Sequence, residues 1–209
     1  MPHSKSDLAM LEKGSKDTAA AEKYTSPLVN DFLGAAHVFA AAVNAVLEED
    51  LLRDESYGGL TLSQMHLLKL VELNDSLTVG DAAEFLKVSK AAASKSVVKL
   101  ERKMLLQRSS GKKDRREICL SLTDQSRKLL SHYESVRTQK LRDIFGMSVP
   151  AELRQISALL DCLSARIAIE NFSAQPGKSC LQCGIYFRED CLLRTQLGCE
   201  CFHLRKKAK

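Results

Sequence analysis

The stretch from Val88 to Thr123, VSKAAASKSVVKLERKMLLQRSSGKKDRREICLSLT, most narrows what this chain can fold into. It reads as a capped helix, a strand, a basic loop and a second strand. Ser89 stands where an N-cap is needed. Ala93, Val97, Leu100 and Met104 then recur at spacings of four, three and four, which is one face of a helix. Leu106 to Ser110 reads as a strand, and Gly111 opens a charged turn. Glu117 to Leu122 alternates, with Ile118, Leu120 and Leu122 on one side and Glu117, Cys119 and Ser121 on the other. From Lys87 to Arg116 there are eleven Lys and Arg against two acids, Glu101 and Asp114, a net +9. The whole chain carries a formal +5, so the remainder sums to −4. Positive charge concentrated on one supersecondary unit is the footprint of a polyanion's partner, most simply of a nucleic-acid backbone.

The flanking sequence places that unit within a helical domain. Residues 1–27 read as a polar leader, frayed or disordered. From Leu28 a helical period runs through Phe32, Ala35, Val38, Phe39, Ala42, Val43, Val46, Leu47 and Leu51, and Asp50 to Gly59 reads as a loop. Thr61 and Gln64 form a capping box for a helix carrying Met65, Leu68 and Leu73. Thr78 opens a shorter helix with Asp81 at its positive end. After the hairpin, Thr123 or Asp124 caps a long helix to about Phe145, and another runs from Pro150 to about Asn171. The fold class is therefore mainly α: three short helices plus a two- or three-stranded wing, flanked by long helices. Residues 28–172 form that domain, and residues 173–209 are a linker and a cysteine-rich tail.

In such a winged helix-turn-helix one helix enters the major groove, and it needs an apolar inner stripe with a slim polar outer face. The helix after Ser89 offers Lys90, Ala91, Ser94, Lys95 and Lys99. Ser94 and Lys95 suit base edges, and Lys99 suits phosphate. The hairpin tip, Lys112, Lys113, Asp114, Arg115 and Arg116, is long and basic enough to reach a flanking minor groove.

Three segments carry a resemblance to the MarR family of bacterial transcription regulators: LTLSQMHLL (60–68), VSKAAASKSVVKLERKMLLQR (88–108) and DRREICLSLT (114–123). The last fits the family's wing signature, D-x-R-x-x-x-L-x-L-T, at Asp114, Arg116, Leu120, Leu122 and Thr123. The resemblance covers residues 28 to 172. It implies a homodimer joined through the first helix and the last two, with double-stranded DNA as partner. It also implies that Asp114 braces the wing and that Arg116 inserts into the minor groove. The polar leader and the cysteine tail depart from the family pattern. So does Met104-Leu105, where a glycine often stands between helix and strand.

The tail, SCLQCGIYFREDCLLRTQLGCECFHLR, holds Cys180, Cys183, Cys191, Cys199 and Cys201, with His203 close by. Cys180-x2-Cys183-Gly184 is a knuckle spacing in which two thiolates meet one metal. A second pair comes from Cys191, Cys199, Cys201 or His203. So short a segment cannot bury its own core, so metal binding would supply its folding free energy. The knuckle slightly favours zinc over an iron–sulfur cluster, which uses the same thiolates.

Elsewhere the plain readings stand. Cys162 is a small buried hydrophobe among Leu159, Leu160 and Leu163; His37 and His66 are structural; Met65 and Met104 are core. Cys119, on the polar side of its strand, is an ordinary thiol. Aromatics make up 5% and Trp is absent, which disfavours a base-stacking platform for single strands. The N-terminus lacks a signal-peptide core, and no run approaches the roughly 20 apolar residues of a membrane span. A cytoplasmic protein without a membrane partner is expected. The function expected is a sequence-specific regulator, most simply a homodimeric repressor, answering to a small-molecule effector, a metal or a redox signal. Two alternatives compete: a metal-dependent or thiol redox enzyme using the tail, and a non-regulatory nucleic-acid-binding module. Against the enzyme, Cys180-x2-Cys183 lacks a βαβ context, and no phosphate loop, G-x-S-x-G or H-E-x-x-H occurs.

Overall fold

The computed structural model describes residues 26–74, 77–110, 118–172, 186, 188, 190–198 and 201. Helix α1, Ser26–Ala42, continues into a π-helical turn, Val43–Glu49. The chain divides into two compact units between Val46 and Leu47. In the first, Leu28, Phe32, Val38 and Phe39 are exposed. The helical stretch Pro27–Arg53 is long and apolar enough, by length and composition, to cross a membrane, although the sequence shows no unbroken apolar run.

The expected loop from Asp50 to Gly59 is instead two short 3-10 turns, Asp50–Arg53 and Glu55–Tyr57. They form because Leu51, Leu52 and Tyr57 are drawn into the core. Tyr57 meets Tyr133 edge-on, with centroids 6.0 Å apart at 79°.

Three capped helices follow. Helix α2, Leu62–Leu73, has the expected capping box: Gln64 N donates to Thr61 Oγ1 (3.3 Å) and Thr61 N to Gln64 Oε1 (3.1 Å). Helix α3, Val79–Leu86, repeats the device with Thr78 and Asp81. Helix α4, Lys90–Arg102, is capped by Ser89 Oγ, which accepts from Ala92 N at 3.2 Å. Each cap satisfies an amide that the first helical turn leaves unpaired.

Strand β1, Leu106–Ser110, pairs antiparallel with β2, Ile118–Leu122, with Leu106 opposite Leu122 and Ser110 opposite Ile118. Leu77 adds a single antiparallel bridge to Leu120, whose N–H donates to the Leu77 carbonyl at 2.7 Å. The strict alternation expected in β2 fails at its outer end. Ile118 is exposed and Cys119 is buried. Ile118 pairs where the hairpin leaves the body and has no core to face, while the other face of the strand is covered at Cys119.

Met104 also departs from expectation. It is 67% exposed, not core, with φ 58°. Leu105 N reaches back to the Leu100 carbonyl (2.9 Å), and Met104 N reaches the Glu101 carbonyl (2.9 Å). This is a Schellman-type helix end, whose left-handed residue is usually glycine. Met104→Gly should therefore stabilise the chain by about 1 kcal/mol, because it removes left-handed strain and the exposed side chain contributes little burial. Urea unfolding checks this, and a destabilised variant would show that the Met104 side chain has a packing role.

Helix α5, Asp124–Phe145, starts directly from β2 and is capped by Thr123, whose Oγ1 accepts from Ser126 N at 3.2 Å. The same hydroxyl donates to the Met104 carbonyl at 2.7 Å, tying α5 to the end of α4. Lys69 of α2 meets Glu134 of α5 at 2.7 Å and Glu72 at 3.0 Å. Burial works to lower the Lys69 pKa, but hydrogen bonds to the two carboxylates outweigh it and hold it above the ordinary value. The fully buried residues include Met65, Leu67, Leu68, Leu77, Leu100, Leu120, Leu130 and Tyr133. Helix α6, Pro150–Phe172, leaves Ile156, Leu159 and Ile167 exposed. Cys162 is half-buried there, not enclosed as expected, because its helix has so little covering it. Helix α7, Leu192–Leu197, lies in the tail.

Candidate nucleic-acid interface

Helix α4 is divided lengthwise. Ala93, Val97 and Leu100 are fully buried. Ala91, Lys95, Lys99 and Arg102 are exposed, and at 100° per residue they fall on the opposite side. Lys90 is exposed in the first turn. Ala91 keeps the leading part of the outer face slim, as a helix entering a groove requires. Ser94 is half-buried, at the flank of this face. The Ser89 hydroxyl is engaged in the cap. Arg102 is absent from the residues singled out by sequence; its signal was its place seven residues after Lys95, two turns along the same face.

The cations of this unit differ in availability. Arg108 on β1 is paired with Glu101 at 2.9 Å, so one acid and one base of the stretch neutralise each other. Lys103 Nζ turns back to donate to the Gly58 carbonyl. Among the described residues, Lys90, Lys95, Lys99 and Arg102 make no ion pair. A basic row therefore lines the outer face of α4, with β1 and β2 rising beside it. The hairpin tip, Lys112, Lys113, Asp114, Arg115 and Arg116, lies outside the described residues.

The tail is described in part. Cys180, Cys183, Cys199 and His203 lie outside the described residues. Cys191 and Cys201 are half-buried free thiols. Among the described residues no three His, Cys, Asp or Glu side chains come together to hold a metal ion.

The comparisons with known proteins point to this same unit. The model of the MarR family matches residues 58–117, which take in α2, α3, α4 and β1. The HTH-type transcriptional repressor MdtR of Bacillus subtilis is 34% identical over 79 residues, 38% of this chain and 51% of that repressor. The chain thus spans about half the length of MdtR. The transcriptional regulator AdcR of Streptococcus pneumoniae is 34% identical over 122 residues, 48% of this chain and 83% of AdcR. Among solved structures, Streptococcus pneumoniae FabT in complex with DNA superposes with a TM-score of 0.54 at 21% identity, covering 68% of this chain and 97% of FabT. That likeness is one of fold.

Proposed function

Because the chain belongs to the MarR family of DNA-binding transcription regulators, and is no enzyme, we propose that it acts as a homodimeric repressor reading a pseudo-palindromic operator. The observation that carries this reading is the outer face of α4, where Lys95, Lys99 and Arg102 stand opposite a fully buried stripe. A second copy accounts for the apolar surface left open on α1 and α6. Leu28, Phe32, Val38, Phe39, Ile156, Leu159 and Ile167 are more exposed than a monomer of this size favours. The same partner accounts for Pro27–Arg53 without a membrane, since that stretch carries Asp31, Glu48, Glu49 and Asp50 and its last residues are drawn into the winged body. On this reading the protein acts in the cytoplasm.

The tail adds a sensor. Cys180, Cys183, Cys191, Cys199 and Cys201 supply soft thiolate ligands, which suit zinc or an iron–sulfur cluster. A small-molecule effector is the other signal the family resemblance favours.

The test is footprinting on DNA upstream of the chain's own gene. The dimer should protect two half-sites about 34–36 Å apart. Lys95→Ala should weaken binding and relax base preference by about 1–3 kcal/mol, as for a side chain reading a guanine edge. Arg116→Ala should lower affinity chiefly for sites with a narrow minor groove. A monomer at micromolar concentration, or wild-type affinity in both variants, would overturn the reading.

A further inference from the structure

The described part of the tail meets the winged body at one point and α6 at two. The Tyr186 ring lies under the Arg137 guanidinium of α5, 5.0 Å from ring centroid to Cζ. Its hydroxyl is buried. Beside it is Glu48, a carboxylate only 4% exposed, which also stands 3.5 Å from His66 Nε2 on α2. Burial works to raise the Glu48 pKa, but polar contacts with His66 and Tyr186 and the charge of Arg137 outweigh it and hold it below the ordinary value. Burial raises the Tyr186 phenol, and the Glu48 carboxylate raises it further. Two residues on, Arg188 Nη1 donates to Asp161 Oδ1 of α6 at 2.7 Å. Cys191 and Leu192 then pack on Ala165 and Ala168 of α6, the only two residues of a small second core among the described residues.

These contacts join elements that the chain otherwise connects loosely. Glu48 and Arg137 sit on the turn entering the body and on α5, which continues directly from β2. Asp161, Ala165 and Ala168 sit on α6, whose outer face is largely uncovered. We infer that Tyr186, Arg188, Cys191 and Leu192 form an intramolecular latch that holds α6 at a set angle on the body carrying α4 and the wing. Its consequence for DNA rests on the dimer reading above: the latch fixes the separation of two recognition helices, so both meet their half-sites at once.

The test uses the full chain with Tyr186→Ala and, separately, Arg188→Ala. Arg188 and Asp161 are 48% and 29% exposed, so losing that pair leaves the main core untouched. Hydrogen exchange across residues 150–172 should speed up by about fivefold or more in both variants, while α2 and α4 keep their protection. Affinity for a duplex bearing the footprinted two-half-site sequence should fall about fivefold, and affinity for a duplex bearing one half-site should stay within twofold of wild type. Unchanged exchange in α6 overturns the latch. Equal loss on both duplexes overturns its role in register. If the wild-type chain proves monomeric, the dimer reading fails by itself, and exchange in α6 still decides the latch.

Discussion

Leu100→Ala is expected to lower unfolding stability by about 2–5 kcal/mol, the range for a fully enclosed leucine cut back to alanine. Leu100 is 0% exposed and belongs to the main core cluster with Val97, Leu77 and Leu120. It lies on the inner stripe of α4, one turn from the Schellman-type end that its own carbonyl closes. The cavity would therefore open directly beneath the face that carries Lys99 and Arg102. Urea unfolding at fixed protein concentration gives the loss, and DNA affinity should fall with it as α4 loses its seat. A cost under about 1 kcal/mol would mean that the body collapses readily onto the vacated space, and that α4 is not held by this stripe.

The second large effect concerns the tail. On the proposed metal-binding reading of the tail, replacing Cys180 and Cys183 together by Ser should abolish metal binding, because it would remove two of the proposed thiolate ligands. For structural zinc in small fingers, metal-linked folding reaches about 10–16 kcal/mol, so removing or chelating such a metal should cost the tail whatever part of its fold the metal supplies. The unfolding transition of the winged body should persist, because its core draws on Leu51 through Tyr133 and, among the described residues, on none of the tail. Metal and sulfide analysis of anaerobically purified protein, with its UV–visible spectrum, separates zinc from an iron–sulfur cluster. Full metal stoichiometry in the double variant would show that other cysteines are the ligands.

Much of the winged unit was legible in the chain because its signals are local. Thr61, Thr78, Ser89 and Thr123 each accept from the amide three positions ahead, so a cap can be read from a few consecutive residues. The outer face of α4 is equally local. Helical periodicity alone sets Lys95, Lys99 and, one turn further, Arg102 against Ala93, Val97 and Leu100.

Other features depended on what each side chain meets in space. Met104 fits the apolar period of α4, but the helix ends before it, and the left-handed turn that lets Leu105 N reach Leu100 sends it outward. Ile118 and Cys119 obey the period of a strand only where the body covers one face and leaves the other open. Asp50 to Gly59 looks like punctuation, yet Leu51, Leu52 and Tyr57 are pulled under α5, and the backbone tightens into 3-10 turns. The seat of Tyr186 joins residues 138 positions apart in the case of Glu48, and no window of sequence holds both. Caps, periods and charge density come from neighbours along the chain and could be read there. The exposure of Met104, the burial of Cys119 and the docking of the tail arise from contacts between distant segments, which exist only once the core has closed.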